Sequence, residues 1–204
     1  MDRKAAWAVA TTFPFLAVVF YTTTRVMPPL IGYLVGLAMY WFVVLVPLIV
    51  WRGGFGRVVY TVTMPRMPLV FLNAVMIIAV GVAAAIALQS NPLSPIIFAF
   101  IFVAALLNGT LEEVFWRGTI LNDDAKKSEL MTQLALFTAW HIALLFADGV
   151  TVTGGAFGLL GGAFIAGVLW TWTRMQTGSV GFGIIGHVGL NLVAYTELAA
   201  QNPI

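Results

Sequence analysis

Cysteine is absent from the 204 residues, which removes disulfides, thiolate metal ligands and a cysteine nucleophile together. Charge is scarce as well. Only 9% of residues are Asp, Glu, Lys or Arg, where a soluble domain carries about 25%. With 61% hydrophobic residues and a mean hydropathy of +0.98, little chain is left for a soluble domain. The composition is that of an all-α, polytopic membrane protein. The net charge of +2 gives no reason to expect nucleic acid as a partner, because the few basic residues lie in short loops where they set topology. The apolar run after Asp2, Arg3 and Lys4 is long and lacks a small-residue cleavage site, so it reads as a first membrane helix rather than a signal peptide. No repeat, low-complexity tract or domain boundary interrupts the chain, which is expected to form a single transmembrane domain over 1–204.

Seven apolar segments reach spanning length, at approximately 5–22, 29–51, 69–88, 94–121, 130–147, 155–175 and 181–199. Proline and glycine clusters punctuate them, among them Pro28-Pro29, Gly53-Gly54, Pro65 with Pro68, Pro92 with Pro95, Gly154-Gly155 and Gly178. With seven helices and the N-terminus in the cytoplasm, Arg3, Lys4, Arg52, Arg57, Arg66, Arg117, Lys126, Lys127 and Arg174 fall inside and only Arg25 outside. That split follows the positive-inside rule. The expected location is the cell membrane, as a multi-pass protein.

Against this apolar background a few polar side chains stand out. Glu112 and Glu113 sit side by side at the end of an apolar run, followed by Arg117, and both histidines of the chain, His141 and His187, also fall in apolar segments. A carboxylate at bilayer depth costs about 2.5–3.5 kcal/mol on insertion scales, so such groups are functional-site hypotheses by default. Counted from the inner ends of their helices, Glu112, His141 and His187 lie at roughly 14, 16 and 9 Å depth at ~1.5 Å per residue. All three occupy one half of a ~30 Å hydrocarbon core.

Spacing assigns partners. Glu113 and Arg117 are four residues apart and can pair on one helix face. Glu112, rotated by about 100°, is left without that partner and free to act as a base. The competing reading makes this a wet helix end, with Thr110 to Glu113 as a capping box. Phe137 and His141 share a face one turn apart, and His187 and Asn191 repeat the spacing on the last segment. Each histidine on its own reads more simply as a structural residue hydrogen-bonding a neighbouring helix. Gly183, Gly186 and Gly189 allow close approach of another helix, and Gly158, Gly162 and Ala166 read most simply as a packing face.

Taken together, the residues suit water-mediated amide hydrolysis. Glu112 deprotonates a water, His141 helps position it, and His187 with Asn191 stabilises the oxyanion. The chain has no His-Glu-x-x-His zinc motif. Gly178-Ser179-Val180-Gly181 does not place its serine as a serine-protease motif would, and Asp148 falls at an outer helix end rather than beside a second aspartate. No cofactor is expected. The less favoured variant is a divalent metal held by Glu112, His141 and His187.

Glu-Glu-x-x-x-Arg at Glu112 to Arg117, Phe-x-x-x-His at Phe137 to His141 and His-x-x-x-Asn at His187 to Asn191 resemble, in order and rough spacing, the motifs of the CPBP family. These are the CAAX-protease and bacteriocin-processing intramembrane proteins of the Rce1/Abi type. Gly118 and Thr177-Gly178-Ser179 are similar too, and the likeness covers approximately residues 95–195. Trp116 stands where the family more often has phenylalanine. The resemblance implies a glutamate-dependent intramembrane endopeptidase opening toward the cytoplasmic side. By position it implies Glu112, His141, His187 and Asn191 as catalytic, with Glu113, Arg117 and Phe137 in support. The implied partners are a peptide or membrane-protein substrate and the bilayer, with the apolar first three helices available to lipid or to another membrane protein. A non-catalytic membrane adaptor of the same fold, and a proton-coupled transporter, are the alternatives.

Overall fold

A computed structural model describes residues 1–203 of the chain. Among these residues seven helices are long and apolar enough to cross a membrane: α1 (Arg3–Val26), α2 (Pro29–Trp51), α3 (Met67–Ser90), α4 (Pro95–Thr119), α5 (Lys127–Phe146), α6 (Gly155–Thr177) and α7 (Gly181–Gln201). Their bounds follow the apolar runs to within a few residues. Local chemistry sets the ends. The Asp2 side chain caps α1 by accepting from the Ala5 N–H at 3.1 Å. Prolines open α2, α3 and α4, where the missing N–H costs no helical bond. Gly178, at φ +69°, ends α6 with its N–H on Arg174 O. Glycine takes that left-handed conformation without a Cβ penalty, and α7 begins three residues later.

Three of the helices change pitch, and each change lies beside the polar cluster. In α2 a π-helical turn, Tyr40–Leu45, precedes Pro47. A wide turn there accommodates a proline that lacks a donor and crowds the preceding turn. In α4 the α-helix ends at Glu112 and a π-helical stretch, Glu113–Thr119, follows. Thr119 Oγ1 donates to Val114 O at 2.9 Å and Ile120 N–H to Phe115 O, both five residues back. In α5 the last turn tightens to a 3₁₀ helix from His141 to Phe146.

The helix ends alternate between two faces of the bundle. Asp2 pairs with Arg52 at 2.6 Å and its N–H donates to Ile120 O, which brings the start of α1 to the ends of α2 and α4. Arg174 pairs with Asp123 at the same end. Arg25 meets Asp148 at 3.4 Å at the other. The core is aromatic, with Trp116, Trp140 and Trp170 almost fully buried. Large side chains such as Phe71, Ile78 and Ile86 of α3 and Phe157 of α6 are exposed outward. That outward apolar surface is what a bilayer, unlike water, tolerates on a helical bundle.

Candidate active site

The α4 carboxylates are fully enclosed: Glu112 is 0% exposed, Glu113 1% and Arg117 0%. A wet, capped helix end is therefore excluded, and Arg117 does not snorkel. Its Nη1 donates to Glu113 Oε1 at 3.1 Å, Nη2 to Gly167 O at 3.3 Å and Nε to Thr171 Oγ1 at 3.4 Å. The Thr171 hydroxyl in turn donates to Gln133 Oε1 at 3.1 Å. The guanidinium also lies 4.0 Å from the Phe137 ring centroid. Each face of the buried cation thus has a partner, as a charge out of water requires.

His187 joins the two carboxylates. Its Nδ1 is 3.1 Å from Glu113 Oε1 and its Nε2 is 3.4 Å from Glu112 Oε2. An ionised carboxylate only accepts, which assigns the Nδ1 proton to the bond with Glu113. The helical wheel left Glu112 turned away from the charge pair. The imidazole bridges that gap with its second nitrogen, although the Glu112 contact lacks hydrogen-bond geometry. His187 is held flat against Trp170, with centroids 4.0 Å apart and planes within 19°. Trp170 Nε1 in turn donates to Asn73 Oδ1 of α3 at 3.1 Å. His141 stands apart from the carboxylates. Its Nδ1 bonds Phe137 O at 2.8 Å, so that nitrogen is the donor and Nε2 keeps its lone pair. Asn191 Nδ2 is buried without a partner.

Glu112, Glu113, Arg117, Phe137 and His187 thus form one contact network, with His141 attached through Phe137. Asn191 shares only the adjoining cavity. That cavity has a volume of about 410 Å³ and its polar lining includes His141, His187, Asn191 and Asn108. Glu112 is not on its wall. It lies behind His187 and Trp140, with Tyr40 and Trp140 as its polar neighbours, and neither of its oxygens has a hydrogen-bond partner.

Gly158 and Gly162 line the cavity instead of packing on a helix. A Cβ at Gly162 would meet nothing within 4 Å, and one at Gly158 only the Thr153 carbonyl beneath it. The expected packing face is a cavity wall. By contrast Gly186 of α7 does pack closely, since a Cβ there would come within 2.5 Å of Asn73 Oδ1.

The cavity reaches Thr151, Thr153 and Gln201, at the end of the bundle that carries Arg25 and Asp148. The basic end, where an opening was expected, is covered. Residues 58–65 fold back over the ends of α4 and α7, Val180 N–H donating to Val59 O at 3.0 Å and Ser179 Oγ to Val59 O and Thr61 O. Gly118 and Gly181 permit this, because a Cβ at either would fall within about 2.5 Å of Val58 Cγ2 or of Tyr60 O and Thr61 O. Among the described residues, no three His, Asp or Glu side chains converge closely enough to hold a metal ion. The Nδ1 atoms of both histidines are committed to other partners.

Residues 94–193 match the model of the type II CAAX prenyl endopeptidase Rce1-like family. Over this segment, just under half of its length, the chain is similar to the Rce1-like family. That likeness suggests intramembrane CAAX-type peptidase activity, and the matched segment contains every residue of the three motifs. No curated protein and no solved structure matches the chain. The Rce1-like segment excludes α1–α3, yet those helices supply Tyr40, Trp41 and Asn73 to the surroundings of the site. Sequence reading missed these, along with Asn108, Trp140 and Trp170. Asn73 and Asn108 did carry a signal, as amides inside apolar runs. Tyr40 carried none.

Proposed function

We propose that this protein is a glutamate-dependent intramembrane endopeptidase. The carrying observation is one imidazole set between two buried carboxylates, beside a cavity lined by a second histidine and an unpartnered amide. Glu112 takes a proton from water, and the hydroxide oxygen bonds to the scissile carbonyl carbon. His141 Nε2 accepts from that water and orients it. The new oxyanion accepts from Asn191 Nδ2. His187 adds a second donor once Nε2 shares the proton taken by Glu112, with Glu113 and Arg117 balancing the charge. The C–N bond then breaks and the departing amine takes up the proton. No step runs through a metal.

The test is cleavage of a mixed peptide library by purified protein in liposomes, read by mass spectrometry with and without chelator. Wild type yields products, chelator changes nothing, and folded Glu112→Gln yields none. Cleavage retained by Glu112→Gln would sink the mechanism, and loss on chelation would replace it with the metal variant. A second reading, a non-catalytic partner-binding protein, draws on the position of Glu112 behind the cavity wall. It requires a partner that co-purifies with both forms.

We place the basic end of the bundle in the cytoplasm, following the charge asymmetry. The native absence of cysteine makes this direct to check. Single cysteines at Lys126 and Arg25 should react with an impermeant maleimide from the cytoplasmic and outer sides of the membrane respectively, and the reverse pattern would invert the topology.

A further inference from the structure

Asn108 lies on α4 one turn before Glu112, 5% exposed, and neither the three motifs nor the mechanism above uses it. Trp41 Nε1 donates to its Oδ1 at 2.7 Å. An indole nitrogen can only donate, so the amide must present its oxygen to Trp41 and its nitrogen to the opposite side. The side chain lines the cavity, and that is where the two N–H groups are left. Accepting one bond from Trp41 needs only an oxygen. The amide's second half is an expensive addition in an apolar interior unless something accepts from it.

Asn191 makes the same offer from α7, which packs against α4. Its Nδ2 is buried without a partner and it lines the same cavity. Asn108 is four residues from Glu112 and Asn191 four from His187, so each amide stands one helical turn from a group proposed to act in the reaction. Much of the remaining wall is apolar, including Leu37, Ala79, Ala83 and Leu159. An apolar tail alone needs no donors. An extended peptide, with a carbonyl on alternate sides at each residue, needs them on two walls.

Resting on the peptidase reading, we infer that Asn108 is a substrate-binding residue. Its amide nitrogen donates to a backbone carbonyl of a peptide lying extended in the cavity, across from Asn191, and Trp41 fixes its orientation.

The probe is a dye-labelled prenylated CAAX peptide, used in cleavage assays on wild type, Asn108→Leu, Trp41→Phe and the double variant. Its binding is also measured on Glu112→Gln with and without Asn108→Leu. Asn108→Leu should raise KM on the order of tenfold, near the worth of one hydrogen bond, with kcat almost unchanged. Trp41→Phe should have a smaller effect that vanishes in the Asn108→Leu background. In the Glu112→Gln protein, Asn108→Leu should weaken binding by a similar factor. An unchanged KM in folded Asn108→Leu overturns the inference. Should that variant not fold, an unchanged KM in Trp41→Phe does so. Binding that depends on Asn108 without cleavage by wild type leaves the inference standing and removes the peptidase reading. Cleavage with KM indifferent to Asn108 does the reverse, and failure to bind or cleave overturns both.

Discussion

Removing Arg117 tests the electrostatic design of the site most directly. In Arg117→Leu, Glu113 keeps its His187 contact but loses the cation 3.1 Å away, inside a bundle where neither group is more than 1% exposed. Breaking a buried pair from one side costs about 3–5 kcal/mol, mostly because the surviving charge is stranded. For a chain of this size, each kcal/mol moves a thermal midpoint by about 2–4 °C, so a loss of roughly 6–20 °C is expected. Adding Glu113→Gln removes the stranded charge, while the new amide oxygen still accepts from His187 Nδ1. The double variant should regain at least half of the lost midpoint. Thermal unfolding in detergent, followed by fluorescence of the seven tryptophans, reads both. Arg117→Lys should fall between, because a single ammonium cannot reach Glu113, Gly167 O and Thr171 at once. A single variant as stable as wild type, or a double variant no better than the single, would refute the account of Glu113 as a charge held by Arg117.

Two further outcomes are expected. Gly162→Leu should leave the thermal midpoint almost unchanged, because its side chain enters open space, yet reduce peptide cleavage at least tenfold by occluding the cavity; a parallel loss of stability would mean the face is packed after all. Asn73→Ala should cost about 1–3 kcal/mol by leaving Trp170 Nε1 without its acceptor. It should also lower kcat more than it raises KM, since His187 rests on that ring; kinetics indistinguishable from wild type would show that the stack does not position the imidazole.

The parts of this protein that were legible in the sequence are those that violate an apolar background. Glu112, Glu113, Arg117, His141 and His187 were conspicuous because few ionisable residues occur in the spans at all, and the spans themselves follow from length and hydropathy. The placement of Glu112, His141 and His187 in one half of the core was legible too; Glu112 and His187 are 3.4 Å apart, whereas His141 joins them only through Phe137. Helical pitch was not. A wheel drawn at 100° per residue cannot anticipate that α4 widens after Glu112. Glycines four residues apart read the same whether they face a helix or a cavity, which is why Gly158 and Gly162 were assigned to packing. The fold-back of 58–65 was hidden for a related reason. A loop between two spans looks exposed in sequence, and only the glycines at 118 and 181 hint that a backbone passes close by.

The surroundings of Glu112 sharpen the choice between catalyst and binder. Its two oxygens are buried and unpartnered, a condition that native interiors rarely leave unanswered. Tyr40 and Trp140 are its polar neighbours, and their rings stack at 3.8 Å. The Tyr40 hydroxyl accepts from Trp116 Nε1 at 3.0 Å. One lone pair is thereby occupied, and its own proton is left to give in the direction of Glu112. Trp140 Nε1 is buried without an acceptor. Both neighbours are therefore donors, and on the third side stands His187 Nε2, which lacks a proton while Nδ1 serves Glu113. A carboxylate ringed by two donors and one basic nitrogen is arranged to exchange protons. A purely structural acid would be anchored by strong donors, as Glu113 is through Oε1 between Arg117 and His187. The adjacent glutamates therefore differ in what their neighbours leave open: Glu113 has one oxygen bonded and one free, whereas Glu112, on which the proposed hydrolysis depends, has both free.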